Sequence, residues 1–360
     1  MKSSRNIGIV TWDYEKPKGG LGRAMQQLAK ALRNIDHDIE FDVKTLIPET
    51  SHKWTKKFGL HPMFSISLIG SLARWIRKTK RNLILFPCGP GGIWLFRKPK
   101  NCITVAIVYH TYLQQVRSVP GQWWKRIFLP FERRSLNIAD RVFCYAEDTK
   151  SVLEKDYKLP PDKIYLLPQI LLLQQWLGAS GEKEQGLCVC IARLEQRKGV
   201  PFLLDVWKKL QEKSPQANLV IVGDGVQARK VDRIISRDHL SAVRAINLDQ
   251  EELIALVKRA QLVLCPSYLE GFGLVVVEAM AAGTLVLASD VDGLRSLIDN
   301  EQTGLLFPMG DTDAWVRAIE NQLAHPEAGE HMMVNARLKV QERFDTERSI
   351  QTLHECLETL

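Results

Sequence analysis

The feature that most constrains this chain is a regular alternation in its second half, where short apolar runs are each followed by a stretch with helical spacing. Residues 187–192, 219–222, 243–248, 262–265 and 285–288 read as strands. Helical patterns lie between them, at about 200–213, 227–236, 250–259 and 274–282. Nearly all-apolar strands separated by amphipathic helices signal a parallel sheet covered on both faces. The first half repeats the theme less cleanly. A strand at 7–11 is followed by the turn Gly19-Gly20-Leu21-Gly22 and a helix over 23–33, with Met25, Leu28, Ala29 and Leu32 at helical spacing. Further strands are expected at 41–46, 83–86, 103–109 and 141–145, with another starting at 165–167. A chain of 360 residues is too long for one ordinary core. The polar stretch from Gly178 to Gly186 is the best linker. The expectation is therefore an α/β protein of two Rossmann-like, doubly wound domains, residues 1–178 and 179–345, with a final helix at about 346–360 packing back on the first. Ligands of such sheets sit on the loops beyond the carboxyl ends of the strands. Two units facing each other would enclose a cleft.

Composition narrows the class. The chain is 45% hydrophobic and 25% charged, as globular proteins are. No window offers about 18 uninterrupted apolar residues, so no membrane-spanning helix is expected. Residues 1–10 read as a first strand rather than a signal peptide. The seven cysteines include no C-x-x-C pair, and Cys188 and Cys190 alternate within an apolar strand; they read as reduced thiols of a cytosolic protein. The net charge of +8 hides an asymmetry. Residues 1–178 hold 29 Lys and Arg against 14 Asp and Glu, whereas residues 179–360 hold 20 against 27. A basic first half suits an anionic partner surface, and phospholipid, a phosphorylated lipid carrier and nucleic acid all qualify on charge alone.

Two motifs carry chemistry. The first, Ala192-Arg193-Leu194-Glu195-Gln196-Arg197-Lys198-Gly199, leaves an apolar strand and enters a helix. There Arg193 as a bidentate fork and Lys198 as a point charge could clamp a diphosphate. The second, Glu270-Gly271-Phe272-Gly273-Leu274 through Glu278, follows strand 262–265. Its glycines admit close backbone approach, and its helix start offers free N–H groups to an anion. Glu278 is read as lying inside the helix's otherwise apolar first turn, where a carboxylate needs a partner such as a pair of ribose hydroxyls.

Arg-Leu-x-x-x-Lys-Gly at 193–199, Gly223-Asp224-Gly225, and Pro-Ser-x-x-Glu-Gly-Phe-Gly-Leu-x-x-x-Glu-Ala-Met-Ala-x-Gly at 266–283 resemble the large retaining glycosyltransferase family 4, which has the GT-B fold. Ser289-Asp290-Val291-Asp292-Gly293 and Gly304 to Pro308 fit the same pattern. The resemblance implies that Arg193 and Lys198 hold the diphosphate and that Glu278 binds the ribose. It also implies that Glu270, with the amides of Gly271, Phe272, Gly273 and Leu274, holds the transferred sugar. In the first half it places Gly19 and Gly20 at the donor phosphates and His110 beside the sugar. Two departures stand out: Pro168-Gln169-Ile170 replaces the family's Pro-Asn-Gly, and the loop after strand 243–248 is shorter and plainer than usual.

The reaction so implied is retaining transfer of a hexose-type sugar from a UDP or GDP type nucleotide diphosphate sugar. The cations would stabilise the leaving group in place of a metal, and no cofactor is implied. The expected acceptor is a lipid-linked or cell-envelope glycan. Basic, aromatic segments at 68–81 and 122–129 suit a peripheral site on the inner face of the membrane, or else ordinary buried helices. Nucleic acid is not expected, since none of its binding motifs is visible. Two rivals remain at this stage. Gly223 to Ala228 satisfies G-x-G-x-x-A, with Asp249 roughly 20 residues on, as in a dinucleotide-dependent oxidoreductase. A non-catalytic membrane-binding protein on the same scaffold would also suit the basic half.

Overall fold

The structure, a computed structural model, describes residues 6–11, 20–35, 40–45, 71–90, 92, 98, 100–178 and 181–359. The chain forms two compact units: residues 1–117, 121–171 and 344–360 make the first, and 118–120 with 172–343 make the second. Each is an α/β unit built on a six-stranded, all-parallel sheet.

In the first unit the strands are β1 (Asn6–Thr11), β2 (Glu40–Thr45), β3 (Leu83–Pro87), β4 (Ile103–Val108), β5 (Arg141–Cys144) and β6 (Ile164–Leu166), in spatial order β2-β1-β3-β4-β5-β6. β3 is apolar throughout and β4 nearly so because both faces are covered, and β3 and nearly all of β4 are buried. Helix Gly20–Ile35 buries Ala24, Met25, Leu28, Ala29 and Leu32, one stripe at helical spacing. Helix Ser71–Thr79 buries Leu72 and Ile76 and leaves Arg74, Arg77 and Lys78 exposed. The last helix, Thr346–Glu358, returns to this unit and packs on Gly20–Ile35, with Leu353 and Leu357 buried. Its start is tied by Thr346 Oγ1, which donates to Leu171 O at 2.9 Å.

In the second unit β7 (Leu187–Ile191), β8 (Asn218–Val222), β9 (Ala242–Ala245), β10 (Leu262–Cys265), β11 (Leu285–Ser289) and β12 (Leu305–Phe307) lie in the order β12-β11-β10-β7-β8-β9. The order turns back at β7 and β10, where successive connections cross to opposite sides. That is the switch point at which doubly wound sheets bind ligands, beyond the strands' carboxyl ends. Trp207 and Trp315 are fully buried in this core, and Trp207 Nε1 donates to Ser241 O at 3.1 Å. All seven cysteines are buried free thiols.

Candidate active site

In the second unit the two motifs meet at the switch point. The loop after β7 makes a single turn of 3-10 helix at Gln196–Lys198 before helix Val200–Lys213 begins. Gly199 joins the two with φ +64°, and a Cβ there would lie 1.8 Å from Pro266 O. Only glycine permits this approach, and it seats the loop against the segment after β10. Tyr268 N donates to Arg197 O at 2.8 Å across the same seam.

Lys198 Nζ reaches both oxygens of Glu270, at 2.8 and 2.6 Å. Ser267 Oγ donates to the same carboxylate at 3.1 Å, and Arg197 stands 3.6 Å from it while pairing with Glu195 at 2.7 Å. Burial pushes the Glu270 carboxyl up, but the charges of Lys198 and Arg197 outweigh it and hold the group below the usual carboxylate range. The carboxylate is therefore ionised and oriented. Arg193, half-buried, stands at the head of the same loop.

Helix Leu274–Ala281 begins directly after the Gly271-Phe272-Gly273 turn, all of it buried. Its first N–H groups have no partner within the helix by construction. Glu278 is the fifth helical residue, not a member of the first turn as its position in the motif suggests, and it is 6% exposed. The helix dipole fades beyond the first turn, so the dipole alone does not account for a buried acid there. Side chains on a helix lean toward its N-terminus, which aims Glu278 back at the motif.

The glycines of Gly223-Asp224-Gly225 serve this loop rather than a dinucleotide. A Cβ on Gly223 would lie 2.0 Å from Ala192 O, and one on Gly225 2.5 Å from Leu194 O. Leu194 N donates to Asp224 O at 2.9 Å, and Gln227 N to Leu194 O at 2.9 Å. The turn after β8 is thus the back wall of the Arg193–Gly199 loop. Asp249, the acid a ribose would need, is spent as the cap of helix Gln250–Arg259 in a reciprocal box with Glu252.

In the first unit His110 follows β4 and is half-buried. Its Nε2 lies 2.9 Å from Gln115 Nε2, and Lys125 Nζ donates to Gln115 Oε1 at 2.6 Å. Beneath the turn lies Glu132, fully buried. It accepts from Tyr112 N at 2.9 Å and from the Tyr157 hydroxyl. Burial pushes its carboxyl up to about 7 in spite of these donors. Gly20 opens helix Gly20–Ile35 and is exposed, whereas Gly19 lies outside the described residues.

Arg197, Ser267, Gln115, Lys125 and Glu132 are participants that sequence reasoning passed over. Arg197 was in plain view in the basic loop. Lys125 reads in sequence as one of a run of membrane-facing cations, yet it is half-buried and turned to Gln115, while Trp123, Trp124 and Ile127 beside it are exposed.

Known protein families resemble both halves of the chain. Residues 176–339 match the family described as Glycosyl transferases group 1, and residues 18–170 match Glycosyltransferase Family 4. Glycogen synthase of Mycobacterium tuberculosis is 34% identical over 157 residues, covering 43% of this chain and 38% of that protein. Trehalose synthase of Pyrococcus horikoshii is 26% identical over 254 residues, covering 65% and 61%. The chain thus spans less than two thirds of the length of either relative. Among solved structures, sucrose-phosphate synthase from Thermosynechococcus elongatus superposes with a TM-score of 0.81 at 21% identity, covering 99% of this chain and 98% of that one. HepE of Anabaena, solved with UDP and glucose, gives 0.71 at 17% identity, covering 98% and 100%. The two Rossmann-like units are those of the GT-B glycosyltransferases.

Proposed function

We propose that this chain, which belongs to the group 1 glycosyltransferase family, transfers a hexose-type sugar from a nucleotide diphosphate donor to an acceptor, with retention and without a metal ion. The observation that carries the reading is the ionised Glu270 held by Lys198, Arg197 and Ser267 at the switch point, beside an open helix start.

The chemistry follows from the charges. As the bond between the sugar's anomeric carbon and the phosphate oxygen breaks, negative charge grows on the diphosphate and positive charge on the carbon. Arg193, Lys198 and the amides at the start of helix Leu274–Ala281 stabilise the first, a preorganised electrostatic term. Glu270 accepts from sugar hydroxyls and keeps Lys198 in place. Glu278 accepts from the ribose. The acceptor oxygen bonds to the anomeric carbon on the face the phosphate leaves, and its proton passes to the departing phosphate oxygen. No protein nucleophile is needed, and the domains are read as residues 1–178 for the acceptor and 179–345 for the donor. The family resemblance further assigns His110 to the sugar, and Gly19 and Gly20 to the donor phosphates.

The acceptor reading rests on a surface. Trp123 is 71% exposed, Ile127 62% and Phe131 47%, among the exposed cations Arg126, Arg133 and Arg134. Apolar side chains that lie in water beside cations suit an anionic lipid surface, where rings settle at headgroup depth. The acceptor is therefore a lipid-linked or envelope glycan reached from the inner face of the membrane. The test is transfer from UDP- and GDP-sugars in excess chelator with lipid extracts as acceptor, scoring the anomer formed. An inverted product, or activity only with a divalent ion, would remove the mechanism proposed.

A further inference from the structure

His110, Gln115 and Lys125 form a chain in which only one arrangement of protons satisfies both of its hydrogen bonds. Lys125 Nζ lies 2.6 Å from Gln115 Oε1, and Gln115 Nε2 lies 2.9 Å from His110 Nε2. An ammonium has donors and no acceptor, so it must face the amide oxygen. The amide nitrogen, which only donates, then faces the ring, and His110 Nε2 must accept. The ring's proton is left on Nδ1. A protonated imidazole would set two donors face to face. Gln115 is 5% exposed, so water offers little relief from a mismatch there.

We propose that Gln115 and Lys125 are positioning residues that hold His110 neutral, in the Nδ1–H tautomer, so that the ring's hydrogen-bond donor is Nδ1. The neighbouring contacts support the arrangement. The Glu132 carboxylate accepts from Tyr112 N and fixes the turn that carries His110. Thr111 N donates to Gln114 Oε1 at 2.9 Å, and Gln114 Nε2 in turn donates to Thr149 Oγ1 at 3.4 Å. With the backbone so held, Gln115 acts on the ring's tautomer and its tilt. Lys125 belongs to the short helix Trp123–Phe128, none of whose residues is buried. That helix is joined inward by Phe128, stacked on Tyr112 at 5.0 Å, and by Lys125. An element on the surface thus sets the proton on a ring fifteen positions earlier in the chain.

The catalytic consequence rests on the reading of His110 as a sugar-contacting residue; the tautomer does not. The test is a long-range proton–nitrogen correlation spectrum of the full chain labelled with 15N-histidine, at neutral pH. The His110 signals are assigned by their loss in His110→Asn. The wild type is expected to show a protonated Nδ1 and a bare Nε2. In Gln115→Glu a carboxylate keeps the Lys125 pair but accepts from the ring, so the proton should move to Nε2. There kcat should fall roughly tenfold or more while KM for the donor changes little. Lys125→Met frees the amide to turn and should give a mixture of tautomers, which Lys125→Arg restores; being a change on a surface helix, it keeps the test open should Gln115→Glu fold poorly. A wild-type ring protonated on Nε2, or a Gln115→Glu spectrum unchanged at His110, overturns the proposal. The expected tautomer in a chain that transfers no sugar would instead sink the functional reading and leave this one standing.

Discussion

The loop after β7 and the turn after β4 occupy equivalent places, each beyond the carboxyl end of an inner strand of a parallel sheet, and they are held in opposite ways. The β7 loop is fixed by backbone and charge: Gly199 against Pro266 O, Gly223 against Ala192 O, and Lys198 locked onto an ionised Glu270. The β4 turn is fixed by buried polar side chains, Gln115, Gln114 and Glu132, and Glu132 is held near neutrality by burial. The first arrangement suits a site that must hold charge without moving. The second suits one that must place a single hydrogen bond.

The comparison can be broken most violently at its tightest point. Gly199→Val would put a branched side chain where a Cβ already meets Pro266 O at 1.8 Å, in a left-handed conformation that β-branched residues avoid. Donor binding should vanish and the second unit should lose several kcal/mol, on the order of 3 or more, in chemical denaturation. A stable, active variant would mean the seam is not what seats the loop.

Charge comes next. Lys198→Ala leaves Glu270 buried with Arg197 at 3.6 Å and Ser267 still beside it. Turnover should drop about a hundredfold or more, and Arg193→Ala should do likewise. Lys198→Ala and Glu270→Gln should be non-additive by about 1–3 kcal/mol in a double-mutant cycle, since removing one partner strands the other. Additive effects would show that the pair is incidental.

How much of this was legible in sequence follows the same division. The β7 side was readable because close backbone approach demands glycine and a fixed carboxylate demands a cation, and both requirements leave residues at set spacing. Most of the described strands were readable as well, because the ones inside the sheets are largely apolar; β12, three half-buried residues at the edge, carried no such mark. On the β4 side the residues around His110 were not readable. Gln115, Lys125 and Glu132 come from three different elements, and each is an ordinary residue of an ordinary helix until the fold brings it to the turn. The helices at Leu129–Ile138 and Glu330–Arg343 were missed for a related reason, since polar residues break up their apolar stripes.

The neutral character of the β4 turn has a smaller, pH-dependent signature. Glu132 titrates near 4.5 when exposed and near 7 when buried. Below about 4.5 it is protonated in both states. Between about 4.5 and about 7 the folded chain holds the proton that the unfolded chain has lost, so stability falls as pH rises through that window and levels off above it. A shift of this size corresponds to about 3 kcal/mol. Glu132→Gln should flatten the decline in urea titrations across that range. A wild type that gains stability from pH 5 to 7 through this residue would mean the carboxylate is charged in the fold.

The smallest effect belongs to the surface beside that turn. Arg126→Ser with Trp123→Ser should weaken sedimentation with anionic vesicles several-fold at low salt, at about 1 kcal/mol per cation, and leave transfer to a soluble acceptor unchanged. Indifference of the wild type to such vesicles would point to a soluble acceptor.

The account turns on what the β7 loop holds, and thermal stabilisation of the full chain by UDP-, GDP- and ADP-sugars and by NADH, in excess chelator, asks that directly. At a hundredfold excess over Kd, one class of sugar nucleotide should stabilise the wild type by about 2.7 kcal/mol, while NADH does nothing and Lys198→Ala loses the effect. Stabilisation only when a divalent ion is restored, or a Lys198→Ala variant that responds as the wild type does, would contradict it.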